Sequence, residues 1–456
     1  MPRSAPWFLV VVLLAGLFLV RESHQAGSPV AALDEWFLDW LMANTGLRTG
    51  RVKGTTGTAA PTVALVEIDD TAVDPGAGKE AMSALDYALV LQAAAAFDPA
   101  VVAIAPVLEF PRPQPEYERI LLDQALRTPK LLLAARPNGH APGRAPPPAI
   151  TPEVIVAPLT RVSGDRRRLP ELRELDRRPA EPLLLAAAAC GPTVVDPDAE
   201  VPSFKPANST PPATASAPAA RTVPLLFRTP DGDVLPSFTL QAAMLWLQLT
   251  RDEVKVELPG AVLLGDRRRV PIDATGAMRL DFRPLARLPR IGIDDLILSA
   301  NEKNAAPGTS SNSAALTRPT ALARVPGGVL LLGRTDRTAR TLAVPASGDG
   351  RGAPAELLAL AIANIQSQTF IRRTPLVVDL LLAATLAALS WRLLSFRLLS
   401  ALLLALATLL VYTLLALVAF DLGEFWLPWA MPAGVLGTAA AMLVLLPHGE
   451  PPRRHP

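Results

Sequence analysis

Three long apolar segments stand near the end of this chain and limit what it can fold into. They cover residues 374–391, 398–420 and 425–446. An α-helix needs about 20 apolar residues to cross a hydrocarbon core of roughly 30 Å, and only helices and closed barrels satisfy their own backbone groups there. The three segments therefore predict three membrane-spanning helices on the C-terminal side.

A further apolar segment, residues 6–20, lies between Arg3 and Arg21. It is short for a membrane span, and a cleavable signal peptide is the alternative interpretation. The polar residues after it contain no clear Ala-x-Ala cleavage pattern, which favours an uncleaved anchor. Under either interpretation, the part of the chain that follows crosses the membrane.

Basic residues beside the spans predict an orientation. With the N-terminus inside, Arg3, Arg392 and Arg397 lie on the cytoplasmic side, and the turn at residues 421–424 with its two acids lies outside. Three other arginines fall on the outer side, but the balance follows the positive-inside tendency. We expect a multi-pass protein of a bacterial inner (cytoplasmic) membrane whose main domain is extracytoplasmic.

The polar middle of the chain predicts an α/β domain. Apolar runs that end at turn residues predict buried strands at residues 62–68, 100–104, 130–135, 222–227 and 328–333. Helices are predicted at residues 82–96, 116–126, 238–249 and 354–367. This alternation predicts a mostly parallel sheet with flanking helices. Shorter runs at 260–264 and 277–282 are typical of hairpin strands, which would make the sheet mixed.

Three segments of low complexity interrupt this domain, near residues 136–149, 196–221 and 299–319. Proline, glycine, alanine and small polar residues dominate them, and such segments cannot bury a core. They are predicted to be disordered surface insertions.

An amphipathic helix is predicted directly after the first anchor. Over residues 31–41 the apolar side chains at helical spacing are Leu33, Trp36, Phe37, Trp40 and Leu41, with Asp34, Glu35 and Asp39 opposite. Trp36 and Trp40 either lie at the membrane interface, where indole is favoured, or pack on the following domain.

Composition excludes several classes of function. The net charge of the 456 residues is +2 and the arginines are scattered, so no nucleic-acid partner is expected. One cysteine and four histidines that are far apart form no metal motif, and no internal disulfide can form. Hydrolase, nucleotide-binding and zinc-protease signatures are missing from the sequence. We expect a protein that is not an enzyme and has no metal, cofactor or catalytic residues.

The best candidates for a ligand site are polar residues at strand ends. The first strand leads to Glu67, Asp69 and Asp70, and the last leads to Arg334 and Asp336. Ligands of open α/β sheets bind beyond the carboxyl ends of the strands, and paired acids there can hold a cation or a polar ligand. The same acids can instead cap a helix or pair with Arg334. The structural role is favoured because nothing else completes a metal set.

One acid falls inside an apolar segment. Asp379 belongs to the second predicted span, where an acid is by default a functional candidate. Its position near the outer interface favours a hydrated acid with no special role.

The order of these parts resembles the type 2 CHASE domain, an extracellular sensory domain associated with bacterial cyclases and histidine kinases. The similarity rests on Asp39, the acidic strand end at 63–70, the strand at 101–104, the segments 222–225, 235–240, 327–333, 362–365 and 370–373, and the opening of the last span at 425–428. The resemblance implies an anchor at 1–22, a juxtamembrane helix and linker at 23–60, a sensory domain at 61–370, three spans at 371–447 and a cytoplasmic tail at 448–456.

The resemblance also implies how such a protein acts. No output domain of the usual kind follows the third span, so a non-catalytic sensor would bind an unknown small molecule and signal through a separate partner. Trp36, Trp40, Arg392 and Arg397 are the candidate signalling residues, and a homodimer is usual for such sensors. Residues 76–79 and Ala105 depart from the family pattern, which favours the alternative of a scaffold subunit of a bacterial envelope complex without a ligand. An enzyme that uses Glu67, Asp69 and Asp70 is the third hypothesis.

Overall fold

The computed structural model describes most of the chain. The described residues are 5–25, 28–45, 62–72, 82–110, 114–137, 157–172, 175–193, 221–266, 268–304, 325–336, 342–344, 351–393, 396, 398–423 and 425–445. The predicted insertions lie largely outside these ranges, as do residues 76–79 and Arg397. At their described ends, residues 136–137 belong to a strand and residues 299–304 belong to a helix. The predicted insertion near 299–319 therefore begins too early.

Helices and strands alternate through the middle of the chain. The helices are α1 (Ala5–His24), α2 (Pro29–Thr45), α3 (Ala84–Ala95), α4 (Pro115–Arg127), α5 (Glu181–Ala186), α6 (Phe238–Leu247), α7 (Ile293–Asn304), α8 (Pro354–Ser367), α9 (Leu376–Leu393), α10 (Leu398–Gly423) and α11 (Ala430–Leu445). The strands are β1 (Val63–Ile68), β2 (Val101–Ile104), β3 (Leu131–Pro137), β4 (Arg161–Gly164), β5 (Leu175–Arg177), β6 (Ala189–Pro192), β7 (Thr222–Pro224), β8 (Leu226–Arg228), β9 (Val234–Pro236), β10 (Val254–Leu258), β11 (Gly260–Leu264), β12 (Arg268–Ile272), β13 (Ala277–Arg279), β14 (Arg290–Gly292), β15 (Val329–Arg334), β16 (Leu342–Ala343), β17 (Arg351–Gly352), β18 (Arg372–Arg373) and β19 (Phe425–Trp426).

The chain forms two compact units. The helical unit comprises Met1–Gly50 and Ile371–Pro456, and the α/β unit comprises Arg51–Phe370. The α/β unit is therefore inserted in sequence between α2 and β18.

A seven-stranded sheet organises the α/β unit, in the order β14-β1-β15-β2-β3 with β5 and β6 both paired to β3. Every pairing is parallel except that of β3 with the edge strand β5. The central strands β1, β15 and β2 are almost entirely apolar because helices cover both of their faces. The predicted α/β class with a mostly parallel or mixed sheet is confirmed.

Two separate cores lie on the two faces of the sheet. Ala64, Val66 and Ile68 of β1 pack with α3, α4 and α7, whereas Val63 and Leu65 pack with α6 and α8. Successive side chains of a strand point to opposite faces, so one strand serves both cores. The result is a three-layer α/β/α arrangement.

Helix α8 forms as predicted, over Pro354–Ser367, and is buried along nearly its whole length. Its first turn lies against β15 at Gly333, where a Cβ would come within 2.1 Å of the Ala355 Cβ. Glycine is therefore required at this position, because any side chain would displace the helix from the sheet.

The prediction that residues 222–227 form a strand of the main sheet is wrong. The segment forms two short strands, β7 and β8, which pair antiparallel with β13 and β9. The run at 260–264 is β11, which belongs to a separate four-stranded sheet in the order β12-β11-β10-β4. A short apolar run does not reveal which sheet it joins, because pairing partners lie far along the chain.

Three helices of the helical unit are long and apolar enough to cross a membrane. They cover Trp7–His24, Leu376–Leu393 and Leu398–Leu422 among the described residues. Helix α1 packs with α9 and α11: a Cβ on Gly16 would lie 3.4 Å from the Ala383 Cβ and 3.3 Å from the Val435 Cγ2. Small residues permit such close approach between apolar helices.

The predicted third C-terminal span, residues 425–446, is only partly helical. Phe425 and Trp426 form β19, which pairs in parallel with β18, and Pro428 disfavours helix at the residue before it. Helix α11 has 16 residues, which corresponds to about 24 Å, less than the hydrocarbon core. Helix α11 is therefore shorter than a typical span.

Helix α2 buries a face that differs from the predicted one. Asp34, Phe37, Leu38 and Leu41 are buried, whereas 58% of Trp36 and 36% of Trp40 are exposed. The helix packs with α1, α10 and α11. The pattern of apolar residues alone assigned Asp34 to the wrong face, because the sequence does not reveal its hydrogen-bond partners.

Candidate functional site

The candidate residues of the α/β unit come from two adjacent parallel strands. Glu67 is paired in register with Gly333, and Ile68 is paired with Arg334. The carboxyl ends of β1 and β15 therefore lie side by side at one edge of the sheet. This is the edge at which open α/β sheets bind ligands.

Glu67 belongs to an ion network on the α8 face of the sheet. Arg290 Nη1 lies 3.3 Å from Glu67 Oε1 and also contacts Glu356 Oε1 in the first turn of α8. Glu356 Oε2 accepts a hydrogen bond of 2.8 Å from the backbone N–H of Ala353, which caps the helix. Sequence reasoning missed Arg290 and Glu356 as parts of this edge because their elements are distant along the chain.

Two carboxylates share one guanidinium in this network, so the negative charge is not fully balanced. Burial raises the pKa of Glu67, and the nearby charge of Glu356 raises it further, while Arg290 opposes both effects. The folded protein therefore disfavours the ionised form of Glu67.

Asp69 stabilises the turn after β1. Its Oδ1 accepts hydrogen bonds from the backbone N–H of Thr71 at 3.0 Å, from that of Ala72 at 3.3 Å and from the Thr71 hydroxyl. The hydroxyl and backbone donors lower the pKa of Asp69. Asp70 follows in the same turn and is exposed.

Arg334 and Asp336 form a pair of their own. The guanidinium donates from Nε to Oδ1 and from Nη2 to Oδ2, each at 2.9 Å, and Asp336 is buried. Arg334 is next to Ile68 in register and so belongs to the opposite face from Glu67. The Glu67–Arg290 pair and the Arg334–Asp336 pair therefore lie on opposite faces of the sheet.

At this edge of the sheet, Glu67, Asp69, Arg334 and Asp336 are thus hydrogen-bonded or ion-paired with other groups of the protein. In the described part of the chain, no three His, Cys, Asp or Glu residues are grouped so that they could hold a metal ion. Arg290, whose side chain is 38% exposed, is the cation that both Glu67 and Glu356 contact.

Glu67→Gln is expected to stabilise the α/β unit slightly at pH 7. Because its folded-state pKa is raised, the contribution of Glu67 to stability is present below the ordinary glutamate pKa and is lost as pH rises through the folded-state pKa. The gain should be below about 1 kcal/mol at pH 7 and absent near pH 4. Hydrogen exchange of the β1 amides at both pH values measures it.

Glu302→Gln is the matched control, because Glu302 is exposed on α7. It should leave exchange unchanged at both pH values. Faster exchange of β1 in the Glu67→Gln protein at pH 7 would mean that the ion pair with Arg290 outweighs the cost of burial.

The candidate signalling residues lie in the helical unit. Trp36 and Trp40 are exposed on α2, and Arg392 is exposed in the last turn of α9. Arg397 is outside the described residues.

A partly buried polar cluster, which sequence reasoning did not predict, joins α1, α2, β18 and α9 of the helical unit. It consists of Ser23, His24, Asp34, Arg373, Thr374 and Asp379. The Ser23 hydroxyl donates to Asp34 Oδ2, and Asp34 Oδ1 accepts from the backbone N–H of Ala430 at 2.7 Å. Arg373 donates to the carbonyl of Ser23 at 2.7 Å and to its hydroxyl, and its guanidinium lies 5.1 Å from the ring centroid of Trp426.

Asp379 anchors the second half of the cluster. Its Oδ2 lies 2.9 Å from His24 Nε2, and its Oδ1 accepts a hydrogen bond of 2.7 Å from the Thr374 hydroxyl. The residue is only 1% exposed. The interpretation of Asp379 as a hydrated acid is therefore wrong, because the side chain is buried and is bonded by His24 of α1 and by Thr374.

Burial governs the electrostatics of the cluster. It raises the pKa of Asp34, while the hydrogen bonds from Ser23 and Ala430 and the charge of Arg373 oppose the shift. Burial also lowers the pKa of Arg373, against the charges of Asp34 and Asp379. Removing Arg373 would therefore leave Asp34 without the cation that opposes the cost of its burial.

These observations define a mixed α/β protein with a parallel sheet and three helices of spanning length. Comparison with protein-family models, with curated proteins and with solved structures finds no match to this chain.

Proposed function

We propose that this protein is a membrane-bound sensory protein of the type 2 CHASE kind. Its α/β unit is extracytoplasmic, binds a small polar molecule and performs no catalysis. The protein signals through a separate partner on the cytoplasmic side. The proposal is supported by the insertion of the α/β unit between α2 and β18 of the helical unit, and by the three helices of spanning length.

The observation that supports the proposal most directly is the position of α8 in the chain, between the sheet edge and β18. The helix begins at the sheet edge, where Glu356 contacts Arg290, and ends at Ser367. Only residues 368–371 separate it from β18, which holds Arg373 of the polar cluster. A ligand that competes for Arg290 would favour one position of the first turn of α8, and the chain would carry that displacement to β18. Such a ligand shifts the equilibrium only by its difference in affinity for the two positions.

A thermal-shift screen of the full chain in detergent micelles tests the sensor proposal. A panel of small carboxylates, phosphates and sugars should contain a compound that stabilises the α/β unit, by about 2.7 kcal/mol at a hundredfold excess over its dissociation constant. Arg290→Ala should abolish that stabilisation, whereas Arg269→Ala, an exposed arginine of β12, should retain it. A stabilising compound that acts equally on all three proteins would place the site elsewhere.

The orientation has its own test. Alkaline phosphatase, which is active only outside the cytoplasm, is fused after Asn304 at the end of α7. A second fusion after Leu393 at the end of α9 is the matched control. The proposal expects activity from the first fusion and none from the second, and the reverse pattern would contradict it.

A scaffold subunit of an envelope complex is the second candidate. It is favoured by the mutual pairing of the edge groups, since Arg334 binds Asp336 and Arg290 binds two glutamates. A scaffold predicts no stabilising compound in the screen. It also predicts that the full chain, extracted with its native neighbours, co-purifies with structural envelope proteins and not with a kinase or cyclase.

A further inference from the structure

Helix α2 presents an exposed face that carries no charge. The exposed residues of the helix are Pro29, Ala32, Leu33, Trp36, Trp40, Ala43 and Asn44. Its largest exposed side chains are those of Leu33 at 42%, Trp36 at 58% and Trp40 at 36%. These three residues are three and four positions apart, so they form one apolar surface along the helix, the α2 stripe. A helix face in water normally carries polar or charged residues, so water is not the expected surrounding of the α2 stripe.

The acids of α2 lie off the stripe. All three are buried or half-buried: Asp34, Glu35 and Asp39. Asp34 Oδ1 accepts a hydrogen bond of 2.7 Å from the backbone N–H of Ala430, the first residue of α11. The buried ring of Phe37 stacks on that of Trp429, with 5.8 Å between the centroids. One side of α2 is thus fixed against the beginning of α11, and the α2 stripe is on the side that these contacts leave exposed.

Helix α10 extends well past the level at which α11 begins. Trp429 Nε1 donates a hydrogen bond of 3.1 Å to the hydroxyl oxygen of Thr413, and the Tyr412 hydroxyl donates to the carbonyl of Pro428 at 2.8 Å. The beginning of α11 therefore lies beside residues 412–413 of α10. From Thr413 the helix runs on to Gly423, a distance of about 15 Å. Helix α2, which packs with both α10 and α11, lies beside this last part of α10.

The last part of α10 is itself apolar and exposed. Leu414, Leu415, Val418 and Leu422 are exposed by 62%, 57%, 45% and 66%. They belong to the segment Leu398–Leu422, which is long and apolar enough to cross a membrane. Helix α1, another helix of spanning length, ends at His24, and only residues 25–28 separate it from α2. Lipid that covers these faces of α1 and α10 therefore also reaches the α2 stripe.

We propose that the α2 stripe is a lipid-binding surface, and that α2 lies in the interfacial layer of the leaflet around the C-terminal end of α10. Leu33 supplies aliphatic surface to the acyl chains. The indoles of Trp36 and Trp40 combine an apolar ring with an N–H group, which is the chemistry that membrane interfaces favour. The inference depends neither on the sensory function nor on the side of the membrane at which α2 lies.

Site-directed spin labelling of the full chain in lipid nanodiscs tests the lipid contact. A nitroxide is attached to the new thiol of Leu33→Cys, Trp36→Cys or Trp40→Cys, one variant at a time, and these exposed positions can be replaced without opening the core. Cys190 is buried, and burial raises the pKa of its thiol to about 12, so the wild-type chain should take no label. Collisions of the nitroxide with oxygen, which concentrates in lipid, are compared with its collisions with a water-soluble nickel chelate.

Labels on the α2 stripe should collide with oxygen and lose most of their access to the nickel chelate. Leu414→Cys on α10 is the reference for lipid, and Leu298→Cys, an exposed leucine of α7 in the α/β unit, is the matched control for water. Greater access to nickel than to oxygen would place the stripe in water, and low access to both reagents would mean that protein covers it. Either result would overturn the proposal.

Fluorescence quenching by lipids with brominated acyl chains gives an independent answer without labels. Trp36→Phe combined with Trp40→Phe keeps an apolar stripe but removes its indole emission, so the part of the emission that these lipids quench should fall. Trp246→Phe is the matched control, because this ring belongs to the α/β unit and lies 4.9 Å from the Arg268 guanidinium. It should leave the quenched part unchanged. An unchanged quenched part in the double variant would contradict lipid contact.

Discussion

Replacing Arg373 with alanine is expected to lower the free energy of unfolding of the helical unit by about 3–5 kcal/mol. The substitution removes the cation nearest to Asp34 and the donor to both the carbonyl and the hydroxyl of Ser23. Asp34 then loses the charge that opposes the cost of its burial. Thermal unfolding in detergent micelles, with hydrogen exchange of β18 as the local measure, gives the magnitude.

The neighbouring arginine provides the control. Arg372 belongs to the same strand but is exposed, so Arg372→Ala should change the stability by no more than about 0.5 kcal/mol. Arg373→Ala combined with Asp34→Asn should recover part of the loss, because the second change removes the charge that the first left uncompensated. Equal effects of the two alanine substitutions would mean that Arg373 does not compensate the buried acids.

A methyl group at Gly333 is expected to be nearly as damaging to the α/β unit. The Cβ of Gly333→Ala would lie 2.1 Å from the Cβ of Ala355 and 3.4 Å from its Cα. Neither atom belongs to a flexible side chain, so α8 must move away from the sheet. We expect a loss of about 3 kcal/mol, at the upper end for an overpacked core.

Gly292 makes the comparison sharp. Gly292 of β14 and Gly333 of β15 are both paired in register with Glu67, on the two opposite edges of β1. A Cβ at Gly292 meets its nearest neighbours, two carboxylate oxygens, at 3.8 and 4.0 Å, which is ordinary contact. Gly292→Ala should therefore be neutral or slightly stabilising, through reduced entropy of the unfolded chain.

Chemical denaturation of both alanine variants measures their free energies of unfolding and distinguishes the two sites. Hydrogen exchange of the α8 amides then measures the local effect. If Gly333→Ala were as stable as Gly292→Ala, α8 would have room to shift without loss. The close contact at Gly333 would then not determine the position of its first turn.

Several elements could be predicted because their evidence is local. Apart from Glu67 and Arg334, the strands β1 and β15 are apolar runs, and α8 begins with a proline and continues with residues that favour helix. The long apolar segments α1, α9 and α10 follow from the cost of leaving backbone groups unpaired in lipid. In each case the chemistry lies within one stretch of some 6 to 26 residues.

The candidate sites depended on partners that are distant in sequence. Glu67 could be named as an acid at a strand end, but Arg290 is 223 residues away. Asp34 accepts a hydrogen bond from Ala430, which is 396 residues away, and Asp379 pairs with His24 across 355 residues. Local patterns assigned both acids to solvent, since an acid without a visible partner is normally exposed.

The sequence by itself determined where the apolar helices and central strands form, because backbone satisfaction and burial are properties of each segment. Only the tertiary structure decided which polar side chains are buried, because a carboxylate can leave water only where other elements bring it donors and a compensating charge. The same distinction applies to the end of the chain. The apolar run at 425–446 predicts a full membrane-spanning helix. Its beginning is instead a strand, because Phe425 and Trp426 pair with Arg372 and Arg373.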